Sequence, residues 1–66
     1  MKVQYFKSTD TLYIALRPAV VNETRDLDED TLIDLDENGS VVAFTIEHAS
    51  DRTDTPNVNF EEVASL

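Results

Sequence analysis

The chain has no cysteine and no tryptophan, and it holds only one glycine, one histidine and two prolines in 66 residues. Without cysteine there is no disulfide to compensate for a thin core, no thiolate metal site and no thiol nucleophile. A single histidine, His48, excludes a two-histidine metal site within one chain. A Ser-His-Asp arrangement would need Ser8, Ser40, Ser50 or Ser65 brought to His48 by the fold. The lone glycine, Gly39, excludes glycine-rich phosphate loops of either the P-loop or the dinucleotide type. Basic residues are also scarce, 5 against 14 acidic ones, for a net charge of -9. Lys2, Lys7, Arg17, Arg25 and Arg52 are scattered, so no basic patch is available for a phosphate backbone or an anionic membrane. No apolar run approaches the roughly 18 residues of a membrane span, and the N-terminus lacks the charged-then-apolar pattern of a secretory leader. The expectation is a soluble cytoplasmic protein with no nucleic-acid and no membrane partner.

The chain does contain two alternating apolar runs on either side of Asp36-Glu37-Asn38-Gly39. Asn-Gly is the strongest short-range hairpin signal, and as the two central residues of a type I′ turn it sets a register. Leu35 then faces Val42, Asp34 faces Ala43, Ile33 faces Phe44, Leu32 faces Thr45 and Thr31 faces Ile46. One face collects Leu35, Val42, Ile33, Phe44 and Ile46. Asp34 and Asp36 fall on the other, with Val41 and Ala43, as a half-buried pleated sheet requires.

The N-terminal third repeats the arrangement around Lys7-Ser8-Thr9-Asp10, a stretch rich in turn formers. Phe6 faces Thr11, Gln4 faces Tyr13 and Lys2 faces Ala15. On the opposite face Tyr5 meets Leu12, Val3 meets Ile14 and Met1 meets Leu16. Pro18 ends the second strand by removing a donor. Glu23 to Leu27 reads as a short strand, and Asp28-Glu29-Asp30 as a tight acidic turn. The spacing of Asn59 and Glu62 matches a capping box and predicts a short helix over 60–65, with coil as the alternative. An isolated hairpin is marginal in water, so the two should join. The expected fold is α+β and mainly β: a small antiparallel sheet of four to five strands in a meander over residues 1–50, followed by a polar tail, 51–66.

Asp34, Asp36, Asn38 and Gly39 also occupy positions one, three, five and six of a calcium loop. The twelfth position, where a bidentate Glu belongs, is Thr45, and the flanks read as strands where helices are needed. What is left is a solvated strand face beside a turn, or a low-affinity cation site on Asp34, Asp36 and Asn38. Glu47 and His48 are the other candidates for chemistry, yet strand alternation points them to opposite faces. A lone histidine at a strand end is more often a capping or surface residue. Paired carboxylates exist by count, but no pattern suggests a desolvating pocket to separate their pKa values. No cofactor is expected.

Taken together, Tyr5, Asp10-Thr11-Leu12-Tyr13-Ile14-Ala15-Leu16, Glu23-Thr24, the run from Ile33 to Val42, and Ala49-Ser50 resemble the small prokaryotic proteins grouped as domain of unknown function 2283. The resemblance covers Met1 to about Ser50. The chain departs from it at Ala43-Phe44-Thr45, where the family commonly shows Gly-Ile-Glu, so no role of that glutamate can be carried onto Thr45. The resemblance implies a compact antiparallel β or α+β domain with no assigned activity, similar to small proteins encoded beside toxin-like partners.

Two functional readings follow. The first is a non-catalytic binding module, antitoxin-like by family analogy, that holds a small basic protein on an acidic face or open strand edge, with a homodimer also allowed. The second is a divalent-cation or hydrolytic site built from Asp34, Asp36 and Glu47 or His48. A purely structural domain, whose acidity only keeps a small sheet soluble, needs neither. Phe6, Tyr13, Val41 and Ala43 stand as either a second packing strip or a self-association surface.

Overall fold

The computed structural model describes residues 1–65. They form one five-stranded antiparallel sheet and a single turn of 3-10 helix, so the chain is mainly β. The strands are β1 (Lys2–Phe6), β2 (Thr11–Ala15), β3 (Glu23–Asp28), β4 (Thr31–Leu35) and β5 (Val41–Ile46), and the 3-10 turn spans Ala49–Asp51. The first hairpin has the register that the alternation predicts, from Lys2 opposite Ala15 to Phe6 opposite Thr11.

The order across the sheet is β1-β2-β5-β4-β3. A meander would place β3 beside β2. Instead β5 lies there, and residues 16–22 carry the chain past the ends of β5 and β4 to the far edge. Backbone bonds from Leu16 N–H to the Val42 carbonyl and from Asn22 N–H to the Leu35 carbonyl, both 2.8 Å, hold the two ends of this crossing. The physical reason lies in the apolar pattern. β2 and β5 are the two most apolar strands, and side by side they place Ile14 against Phe44 and Leu12 against Ile46.

The second hairpin keeps its expected pairing from Thr31–Ile46 to Asp34–Ala43, and then shifts so that Leu35 faces Val41. The two-residue type I′ turn is not formed. Asp36 N–H bonds to the Ser40 carbonyl at 2.9 Å and Gly39 N–H to the Asp36 carbonyl at 3.0 Å. The loop is therefore three residues long, Glu37-Asn38-Gly39, with only Gly39 at positive φ (77°). This is a type I turn closed by a left-handed residue with a bulge, the next most common hairpin connection after the two-residue one. The Asp36 carboxylate accounts for the difference: it accepts the N–H groups of Asn38 (2.9 Å) and Ser40 (3.0 Å), which an Asx-type turn offers and a type I′ turn does not.

The tail forms no helix over 60–65. Asn59 Nδ2 donates to Glu61 Oε1 at 3.2 Å instead of capping a helix, and Val58, Phe60 and Val63 are exposed. So short a helix needs tertiary contacts to persist, and none is offered there.

Paired residues share a face, so the register sorts the sheet into rows. On one face the middle row runs Val3, Ile14, Phe44, Ile33, Arg25 across all five strands. The row toward the 3-10 turn holds Tyr5, Leu12, Ile46 and Thr31, and the row toward the crossing holds Leu16, Val42, Leu35 and Glu23. The opposite face carries Lys2, Gln4, Tyr13, Ala15, Thr45, Ala43, Leu32, Asp34, Thr24 and Asp26. The core consists of Leu12, Leu35, Val42, Ala43 and Ala49, with the hydroxyl residue Thr31 buried beside it. Among the described residues no large side chain is fully buried.

Candidate functional site

The residues singled out by sequence fall at opposite ends of the sheet. Asp34 and Asp36 lie at the turn that leads into β5, and Glu47 and His48 follow its far end. A six-residue strand of about 20 Å separates Asp36 from His48. One chain therefore does not bring them together, and the hydrolytic or cation site drawn from Asp34, Asp36 and Glu47 or His48 is not assembled. Among the described residues no group of three or more His, Cys, Asp or Glu side chains is placed to hold a metal ion.

Each candidate has a local task instead. Asp36 Oδ1 accepts the two turn N–H groups, while Oδ2 accepts Arg17 Nη2 at 2.5 Å from the crossing segment. The Ser40 N–H above all, then the Asn38 N–H and the Arg17 guanidinium, hold the Asp36 carboxyl below its ordinary value. Asp34 Oδ1 accepts the Thr24 hydroxyl across the β3–β4 pair at 2.7 Å. Asn38 is exposed at the turn. Arg17, Asp36, Glu37 and Asn38 line an open groove of about 490 Å³ together with Ala19, Val20 and Asn22. His48 adopts a left-handed conformation (φ 52°) as the chain leaves β5, and its Nδ1 lies 2.9 Å from Asp30 Oδ1. That contact raises the His48 pKa. Glu47 N–H bonds to the Asp30 carbonyl at 2.8 Å, so the histidine is a surface clasp on the β3–β4 turn.

The four residues grouped as a packing strip or self-association surface separate. Ala43 is only 2% exposed, with Ala15 and Asp34 on either side, and offers a partner nothing. Phe6 is exposed at the edge, and Tyr13 is half-buried over a shallow pocket of about 300 Å³ with Lys2, Ala15 and Arg17. The bulge brings Val41 opposite Leu35.

The most densely bonded residue is Asp10, which reasoning on motifs for chemistry passes over. It sits in the β1–β2 turn at φ 53°. Its carboxylate accepts the Tyr5 hydroxyl at 2.6 Å, the Ser50 hydroxyl at 2.6 Å and the Ser50 N–H at 3.1 Å. Its carbonyl accepts the Ala49 N–H at 2.9 Å. The Ser50 hydroxyl and then Tyr5 lower the Asp10 pKa, and the same contact raises that of Tyr5. Arg52 Nη1 donates to the Thr31 hydroxyl at 2.5 Å and lies 3.6 Å from Asp28. These bonds fasten the 3-10 turn over the Tyr5–Leu12–Ile46–Thr31 row. The available signal was that Tyr5, Asp10 and Ala49-Ser50 are all among the residues that carry the family resemblance.

Charge is distributed unevenly between the two sheet edges. β3 is exposed along its whole length and carries Glu23, Asp26 and Asp28, followed by Glu29 and Asp30. Glu23 is neutralised by Arg25, Nε to Oε2 2.7 Å, which lowers its pKa. β1 carries Lys2 and no acid, with Lys7 just beyond it. Among the described residues no helix is long and apolar enough to cross a membrane.

No curated protein matches the chain. No solved structure matches it either. A family model described as Protein of unknown function (DUF2283) matches residues 2–50, which span all five strands and end on Ser50, the residue that Asp10 holds. The chain therefore belongs to the DUF2283 family.

Proposed function

We propose that this domain is a non-catalytic binding module whose partner is a small basic protein, an antitoxin-like role. One observation carries the reading: β3 is an edge strand, exposed along its whole length, with one row of backbone groups unpaired and an acidic sequence running on into the next turn. An extended basic segment added there would gain main-chain hydrogen bonds from the edge and ion pairs from Asp26, Asp28, Glu29 and Asp30. The net charge of -9 accelerates its approach. The antitoxin-like part rests on family analogy alone.

The test is copurification of the tagged protein from its own cells at low and high salt, followed by reconstitution from purified components. A single small basic protein should be recovered at low salt and lost at high salt. Replacing both Asp26 and Glu29 by Lys should weaken the reconstituted complex by about tenfold or more. Recovery of nothing specific at low salt, or an affinity indifferent to that double replacement, removes the proposal.

A further inference from the structure

On the apolar face of the sheet the row toward the 3-10 turn is covered and Val42 and Leu35 in the row toward the crossing are buried, which leaves the middle row open. The 3-10 turn, tied down by Asp10 and Arg52, closes the Tyr5–Leu12–Ile46–Thr31 row. In the next row Ile14, Phe44 and Ile33 remain half-buried and Val3 is 39% exposed, and at the end of the third Leu16 is 42% exposed. Stable domains pack two layers around a core, and here the described residues supply one.

We infer that the middle row, with Leu16 beside it, is the interface between two copies of this chain, packed face to face as a two-sheet sandwich. Surface area supports this occupant. A compact monomer of this mass exposes about 4,200 Å². The chain exposes 5205 Å², a surplus of about 1,000 Å², and Val3 and Leu16 of the open face are among the exposed apolar residues, as are those of the crossing and the tail. One partner in a standard interface contributes about 800 Å². The radius of gyration, 13.0 Å, likewise exceeds the roughly 11 Å of a compact chain of this length.

Charge selects a second copy over a basic protein at this surface. None of the 14 acidic residues stands on the middle row, and Glu23 beside it is paired with Arg25. The centre is neutral, so another chain of net charge -9 meets little repulsion there and keeps its carboxylates at the rim. A basic partner would find nothing to pair with. Aligned sheets about 10 Å apart would interdigitate Phe44 with Ile14 and Ile33 of the second copy. A twofold axis closes the assembly and leaves both acidic β3 edges outward, so this inference stands whether or not the proposed partner exists.

Sedimentation of the full chain from micromolar to millimolar concentration tests it. The expected result is a monomer–dimer equilibrium with no larger species. Val3→Glu and Leu16→Glu place charge on side chains already exposed in the single chain, so the strands persist by circular dichroism. Each should weaken association by about tenfold or more, at least about 1.4 kcal/mol. Phe60→Glu, in the exposed tail, should leave it unchanged. A monomer at millimolar concentration overturns the inference, as does dimerisation indifferent to both face variants. Association lost only in Phe60→Glu identifies the tail as the contact. Species growing beyond the dimer point to pairing of the basic β1 edge with the acidic β3 edge, which also contradicts a closed sandwich.

Discussion

At the residue scale, the most heavily bonded carboxylates are the ones that hold the backbone. Asp36 organises the second hairpin and Asp10 joins the first hairpin to the chain after β5. An Asp10→Ala variant should lower the melting temperature and expose the Ser50 amide to rapid hydrogen exchange, while amides at the Asp36 turn stay protected. Retained Ser50 protection would show that Asp10 is incidental. Gly39 is the other sensitive position. A Cβ there meets nothing within 4 Å, so the cost of Gly39→Ala is the left-handed backbone alone, about 1 kcal/mol by denaturant unfolding. The pKa directions give a two-sided pH profile. Asp10, Asp28 and Asp36 are lowered from 3.8, so the stability they supply is complete above that value and is lost as pH falls below it. His48 is raised from 6.5, so its contribution is complete below 6.5 and is lost as pH rises through its higher folded value. Thermal unfolding across pH should therefore peak between the two ranges, and His48→Gln should remove the loss that begins above 6.5 while leaving the acid limb and the later loss from Tyr5, whose pKa is raised from 10.0.

At the scale of elements, the first hairpin was fully legible, because alternation and a four-residue turn agreed on one register. The acidic turn before β4 was legible in place but one residue too long: Asp28 ends β3, Glu29 and Asp30 make the turn, and the Asp30 N–H is accepted by Asp28 Oδ1 at 3.0 Å. The second turn was legible in place but not in type. Asn-Gly argues for two residues, and the nearby Asp36 carboxylate wins by accepting two N–H groups that a three-residue loop presents. The strand order was not legible, since alternation says which face a residue takes and nothing about which strand lies beside it. Of the two readings of the tail, helix or coil, the structure has coil, because a capping box provides ends for a helix but no contacts to hold it. The ion-site residues stay apart within one chain for a related reason: spacing matched the first half of a calcium loop, while the fold sends Glu47 and His48 to the other end of β5. Packing of the central strands has its own consequence. Leu12 is 7% exposed in β2, and Leu12→Ala should cost about 2–5 kcal/mol in denaturant unfolding. A loss well under that range would mean that β2 is not a core strand.

At the scale of the whole molecule, a chain of 66 residues buries too little surface to be comfortable alone, and this one spreads what it has into a single layer. The molecule measures 35 × 32 × 18 Å, with one sheet face neutral and apolar and the acidic edge turned away from it. That separation lets self-association and capture of a basic partner use different surfaces. Acidity along β3 also discourages the edge from pairing with copies of itself. The open central row, Ile14–Phe44–Ile33, is the feature on which the account turns. A sample mixing isotope-labelled and unlabelled chains isolates proton contacts between copies. The account predicts intermolecular contacts from the Phe44 ring to the methyl groups of Ile14, Ile33 and Leu16. Phe44 contacts confined to its own chain, and made there with Phe60 or Val63 of the tail, would contradict it.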